Sequence, residues 1–197
     1  GNGKTLVAQH FFDRALATNT RPLLLCFNRP LKEKLKHLAK IGGVVETWYG
    51  FCDQFLKSQE ISLDFTSMKD DPDFWRNAAR NVSEKVLNTG VPSDWLFDTL
   101  IIDEAQDFEE GWFEISRLFL RDHSDILWLE DPYQNVRGIM PPHLEDLHFI
   151  GYRSLLNYRS PETIAYFINQ VLPDFTFTCA NDLPGLGVGI TLYEDPT

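Results

Sequence analysis

The chain is short of the features that mark several protein classes. Its three cysteines, Cys26, Cys52 and Cys179, are odd in number, far apart and set among apolar or aromatic neighbours, which favours buried thiols over a disulfide framework or a zinc site. No apolar run approaches the roughly 20 residues of a membrane helix. No N-terminal segment joins basic, apolar and small-residue regions as a signal peptide does. A cytoplasmic protein without a membrane segment is therefore expected. Basic residues are also scarce: 18 Lys and Arg stand against 29 Asp and Glu, a net charge of −11, which argues against coating nucleic acid by electrostatics alone. The deficit is uneven. Residues 1–60 hold nine basic and five acidic side chains, whereas residues 61–197 hold nine and twenty-four, so any polyanion contact should use the first part. Lys32, Lys34, Lys36 and Lys40 are its densest basic cluster, which a solvated helix face explains equally. His143 and His148 flank an acidic stretch, but their spacing fits no helical ligand pair and reads as a loop.

The first residues present are informative. Gly1, Asn2, Gly3, Lys4 and Thr5 read as the back half of a phosphate-binding loop of the form GxxxxGK[ST]. In such a loop backbone amides curl around phosphates, the lysine reaches the terminal phosphates and the hydroxyl ligates Mg²⁺. The loop's first glycine and the strand before it are expected upstream of residue 1. A glycine-rich turn that only caps a helix is the alternative for these five residues alone.

An alternating α/β pattern follows. A helix is predicted from Lys4 to about Leu16, and the continuous apolar run Leu23 to Phe27 reads as a parallel strand buried on both faces. A helix over 28–39 ends at Gly42 and Gly43, and Val44, Val45 and Thr47 give a second strand. Residues 56–98 break the rhythm and read as a helical insertion, with a helix from Pro72 to Val86. Strands are predicted at Thr99 to Ile102 and Asp125 to Leu129, with an amphipathic helix from Glu109 to Leu120 between them. A Pro- and Gly-bearing loop, 132–142, marks a lobe boundary. Beyond it come a strand at Ser154 to Leu156, a helix opened by Ser160 and Pro161 with Ile164, Phe167, Ile168, Val171 and Leu172 on one stripe, and a last strand at Gly189 to Tyr193.

Leu100-Ile101-Ile102-Asp103-Glu104-Ala105-Gln106-Asp107 is the second chemical motif. A buried strand delivers two carboxylates to its C-terminal end, where open α/β sheets bind ligands. Asp103 suits Mg²⁺, and Glu104 suits orientation and deprotonation of a water attacking a terminal phosphate. Acids decorating a helix start are the alternative. The phosphate loop about a hundred residues upstream favours nucleoside triphosphate hydrolysis.

Taken in order, Gly3-Lys4-Thr5, Leu25 to Leu31, Thr47-Trp48-Tyr49-Gly50-Phe51, Asp103 to Asp107, Asp131-Pro132-Tyr133-Gln134 and Asn157-Tyr158-Arg159-Ser160 match helicase motifs I, Ia, Ib, II, III and IV. The chain resembles superfamily 1 DNA helicases of the UvrD/Rep type over nearly its whole length. The resemblance implies an ATP-driven motor of two RecA-like lobes moving on single-stranded DNA, with RNA as the alternative polymer. It implies a first P-loop NTPase lobe over 1–55 and 99–150, a 56–98 insertion, and the start of a second lobe at 151–197. Gly1, Gly3, Lys4 and Thr5 would then bind ATP, Thr5 and Asp103 would hold Mg²⁺, and Glu104 would be the catalytic base. Gln134 would sense the terminal phosphate and Arg159 would reach it from the second lobe. Phe27, Asn28, Thr47, Trp48 and Tyr49 would line the nucleic-acid track, one of the Trp48/Tyr49 pair packing inward.

Two departures stand out. Glu130 replaces the glycine that usually precedes Asp131, and Asn135 to Gly138 replace the usual aromatics after Gln134. Motifs V and VI are expected after Thr197, together with any fused or partner domain, and the 197 residues alone are expected to be inactive. Two other readings remain open: a nucleotide-gated regulatory ATPase without processive unwinding, and a P-loop kinase, which needs no counterpart of Gln134 or Arg159.

Overall fold

The computed structural model describes residues 3–38, 42–66, 73–131, 134–135, 137–140, 142, 144–154, 156–171, 178–180, 182–183, 185 and 187–189. The protein is α/β. Helix α1 (Lys4–Ala17) leads into strand β1 (Pro22–Cys26), α2 (Arg29–Leu35), a short 3₁₀ turn (Lys36–Leu38), β2 (Val44–Thr47) and α3 (Trp48–Ser58). Then come α4 (Phe74–Thr89), β3 (Phe97–Asp103), α5 (Glu110–Arg117) and β4 (Leu120–Leu129). All four strands are parallel in the order β2-β1-β3-β4. Every residue of β1 is buried, as a strand covered on both faces requires.

Period-2 alternation sorts the strand residues onto two covered faces. Ala8 and Phe12 of α1 pack with Leu35 of α2 against Leu24, Val45 and Ile101 on one face. The other face is aromatic. Phe51 and Phe55 of α3 meet the Phe119 ring edge-on at 4.9 and 4.8 Å, and Phe113 of α5 meets Trp128 of β4 at 5.2 Å. α4 lays Phe74, Ala78, Val82 and Val86 inward, one helical stripe in the segment read as an insertion.

The chain forms two compact units, Thr5–Leu144 and a second one of Gly1–Lys4 with Glu145–Thr197. The division falls slightly ahead of the boundary expected at 150/151. Within the second unit, β5 (Leu156–Asn157) and β6 (Thr178–Cys179) pair in parallel, and α6 (Glu162–Val171) lies between them in sequence. Asn157 is buried because its side-chain oxygen accepts the Arg159 and Ser160 amides at 3.1 Å each. The expected strand at Gly189 to Tyr193 falls almost wholly outside the described residues, as does Leu172.

Several expectations need correction. No helix is expected after the second strand, yet the Thr47 hydroxyl accepts the Gly50 amide at 3.0 Å and caps α3, which starts at Trp48, so Trp48 and Tyr49 lie on a helix. Trp48, Phe51, Cys52, Phe55 and Leu56, all buried, follow the i, i+3, i+4, i+7, i+8 stripe of that helix. α3 also crosses the 55/56 boundary set for the insertion. α5 stops at Arg117, and β4 begins at Leu120 instead of Asp125. Cys26 and Cys52 are buried as expected, and Cys179 is half-buried. Burial, helped by Asp103 and Glu46, pushes the Cys26 thiol up to about 12. No helix among the described residues is long and apolar enough to cross a membrane.

Phe119 is fully buried in the aromatic face, so Phe119→Ala should destabilise the fold by about 3–5 kcal/mol. Leu87, 74% exposed on α4, should tolerate Ala within about 0.5 kcal/mol. Denaturant midpoints of the two variants test the assignment, and equal midpoints would contradict it.

Candidate functional site

The carboxyl ends of β1 and β3 lie side by side, with Cys26 opposite Asp103 in register. From there β1 continues toward β2 and β3 toward β4, on opposite sides. In parallel α/β sheets such a divergence marks the edge at which ligands bind. Asp103 ends β3 at that edge and Glu104 follows it.

Asp103 is fully buried. Its Oδ2 accepts the Thr5 hydroxyl at 3.0 Å, joining residues 98 positions apart, and its Oδ1 accepts the Glu104 amide at 3.1 Å. A buried carboxylate is tolerated only with such partners. Glu104 then takes a left-handed backbone (φ 56°), unusual for a residue with a Cβ, and turns the chain sharply into a 3₁₀ turn, Ala105–Asp107.

Beyond Glu104 the polar contacts form a chain. Gln106 Nε2 donates to Glu104 Oε2 at 2.8 Å, and Gln106 Oε1 accepts the Asp131 amide at 3.0 Å. Asp131 in turn accepts the Gln134 side-chain amide at 2.8 Å and the Gln134 backbone amide at 2.9 Å. Gln106, itself buried, therefore uses both ends of its amide to tie the DEAQD segment to the residues after β4. Its motif drew attention, but its role as a bridge was not legible from spacing.

Next to this chain lies a cluster of rings. Phe108 meets Trp48, Trp112 and Trp128 edge-on at 5.9, 5.5 and 6.5 Å. Trp112 of α5 also stacks on Trp48 at 5.8 Å and on Phe27 at 6.3 Å, and meets the Tyr49 ring edge-on at 5.3 Å. The guanidinium of Arg137 lies 4.4 Å over the Phe27 ring and donates to the Asp107 carbonyl at 3.4 Å. Trp112 and Arg137 were not nominated from sequence. Trp112 looked like one more apolar residue on an amphipathic helix, and Arg137 only like a departure from a motif.

The expected track residues divide. Trp48 has no exposed surface and belongs to the core, so it is withdrawn as a stacking platform. Thr47 is also buried, its hydroxyl engaged as the α3 cap. Asn28 is exposed and caps α2, accepting the Leu31 amide at 2.9 Å. Phe27 and Tyr49 remain half-buried beside a cleft of about 400 Å³ that Arg29, Lys32, Glu46 and Trp75 also line. Lys32 is not free for a polyanion there: its ammonium is 2.6 Å from the buried Glu46 carboxylate. Glu46 in turn occupies the space a side chain at position 50 would need, hence Gly50. Lys40 lies outside the described residues.

At the amino end, Gly3 has φ 81°, a conformation open to glycine, directly before α1, which Lys4 begins. Gly1 lies outside the described residues. Arg159 is exposed in the second unit, after β5. His143 lies outside the described residues, and His148 is exposed. Among the described residues no group of three or more His, Cys, Asp or Glu is arranged to hold a metal ion. A Mg²⁺ site needs no such cage, because that ion keeps several waters and uses one or two carboxylates plus phosphate oxygens. The donor set at Thr5 and Asp103, one hydroxyl and one carboxylate already in contact, fits that requirement.

No protein-family model matches this sequence, and no curated protein matches it.

Burial raises the Asp107 carboxyl above its ordinary value of 3.8; Arg137 opposes the shift and Glu104 adds to it. A carboxyl that holds its proton more tightly when folded weakens folding once ionised. The penalty is absent below the ordinary value, grows through the pH window just above it and is complete at neutral pH. Asp107→Asn should therefore raise the melting temperature at pH 7 and leave it nearly unchanged at pH 3. An equal shift at both pH values would contradict this account.

Proposed function

We propose that the chain is part of an ATP-dependent motor resembling UvrD/Rep-type superfamily 1 DNA helicases, hydrolysing ATP to move on single-stranded DNA. The reading takes the parallel sheet as a RecA-like P-loop NTPase lobe. One observation carries it: the Thr5 hydroxyl meets the Asp103 carboxylate at 3.0 Å. Two motifs recognised separately in the sequence, each with its own bland alternative, thus converge on one point at the strand ends.

Bound MgATP would supply the phosphoanhydride bond and a cation to offset charge on the phosphate oxygens. On this reading Thr5 and Asp103 hold the cation, and Gly3 and Lys4 serve the phosphates. Glu104 takes a proton from the attacking water. Because Gln106 already donates to Oε2 of Glu104, Oε1 is the oxygen assigned to that proton. The same amide holds Asp131, and Asp131 holds Gln134, which links a nucleotide-sensing Gln134 to the base through two residues. Arg159 is assigned the second-lobe contact from its motif position, where a guanidinium would stabilise developing charge.

A regulatory ATPase is the second reading. It is favoured by the internal pairing of Lys32 with Glu46 and by the cover over Phe27, which leave little of the track open.

Steady-state ATP turnover by the full-length protein, with and without single-stranded DNA, decides between them. The motor predicts strong DNA stimulation and a loss of about 10²–10⁴-fold in kcat for Glu104→Gln, with a comparable loss for Lys4→Ala. ATPase activity unaffected by DNA supports the regulatory module. Wild-type turnover in both variants would refute the nucleotide site itself.

A further inference from the structure

Tyr49, the remaining aromatic candidate on α3, is covered. The indole of Trp75 stacks on its ring with centroids 4.3 Å apart and planes 25° apart. That is a single stacking interval, with no space for a third ring between them. The edge of the Tyr49 ring is engaged by Trp112 at 5.3 Å. Trp75 thus occupies one face of Tyr49, where a base would otherwise stack.

Trp75 is poorly placed to be a fold-holding residue. It sits in the first turn of α4, off the stripe of Phe74, Ala78, Val82 and Val86 that anchors this helix, and it is only half-buried. Asp73 at the cap position makes no side-chain cap hydrogen bond; its carboxylate pairs with Arg76 and its carbonyl accepts the Asn77 amide at 2.8 Å. The neighbouring ring Phe65 is itself 42% exposed and touches Trp75 at 6.0 Å. Trp75 also meets the buried Phe74 ring edge-on at 5.0 Å, a partner on α4 that does not involve Tyr49.

We propose that Trp75 is an internal plug on the nucleic-acid track: it occupies the Tyr49 face on which a base would stack, and single-stranded nucleic acid binds by displacing it. This rests on the motor reading above and adds its regulation. A base stacked on an aromatic side chain is a stronger contact than an average aromatic pair, so the plug attenuates binding without abolishing it. The Trp75 ring closes the track when it is empty and swings away when a strand enters.

The test is fluorescence anisotropy of a labelled oligothymidylate titrated with the full-length protein. Trp75→Ala should tighten binding about two- to tenfold, the span expected on removing one aromatic pair. Trp75→Gln, which keeps a good helix former, should do the same if the alanine variant folds poorly. Trp75→Phe, which retains a ring, should stay near wild type, and Tyr49→Ala should weaken binding, by less than the full worth of a stacked base because the pair with Trp75 is lost with it. Wild-type binding that Trp75→Ala and Trp75→Gln leave unchanged or weaken overturns the plug while sparing the track. Absence of binding by wild type and by both Trp75 variants overturns the track, and the plug with it.

Discussion

The contact between the Thr5 hydroxyl and the fully buried Asp103 carboxylate is the constraint on which the site depends. A buried carboxyl group at the end of a central strand needs partners, and those of Asp103 include the Thr5 hydroxyl and the amide of Glu104. The first pins the opening turn of α1 to the sheet. The second belongs to a residue in a left-handed backbone conformation, so the sharp exit from β3 and the satisfaction of Asp103 are one local solution. Remove the carboxylate and both the start of α1 and the direction of the DEAQD turn lose their reference.

From that point two lines of contact leave in different directions. The polar one runs through Gln106 to Asp131 and Gln134. The apolar one begins at Phe108, immediately after the 3₁₀ turn, and passes through Trp112 to Phe27 and Tyr49. Packed interiors transmit displacement because they hold few voids. A shift at Glu104 thus has contiguous neighbours on both lines, while Arg137, touching the Asp107 carbonyl and the Phe27 ring, joins them. Under the motor reading, this is the arrangement that coupling between nucleotide and track would use.

Much of the fold was legible. β1 reads as a doubly covered strand because Leu23, Leu24 and Leu25 leave no polar face, and β3 announces itself by Leu100, Ile101 and Ile102 before two acids. The contact between motifs was legible only as a hypothesis, since spacing of about a hundred residues carries no geometry. α3 is the instructive miss. Its stripe of Trp48, Phe51, Cys52, Phe55 and Leu56 lies open in the sequence, but an aromatic residue can serve either a core or a stacking platform, and placing Trp48 with Tyr49 on the track hides the helical period that starts at Trp48. Only burial separates the two uses, and it assigned Trp48 to the core and left Tyr49 at the margin. Strand β4 was read short for a different reason: Arg121, Asp122 and His123 are exposed polar residues at its start, so they dilute the apolar signal of a strand.

The acidic balance of the chain acquires a local meaning beside the cleft. Lys32 is on the helix nominated for polyanion contact, yet its ammonium neutralises Glu46, which is buried and also receives the Thr47 amide and the Gln54 side chain. A buried carboxylate deprived of a cation is expensive, so Lys32 is held by the fold before any ligand competes for it. Phe27 lies under Arg137 and Tyr49 under Trp75 in the same region. Sequence composition counts such side chains as available charge and available rings. The folded chain has already used them, so affinity for a strand would depend less on how many basic and aromatic residues surround the cleft than on how readily these internal pairs exchange for external ones.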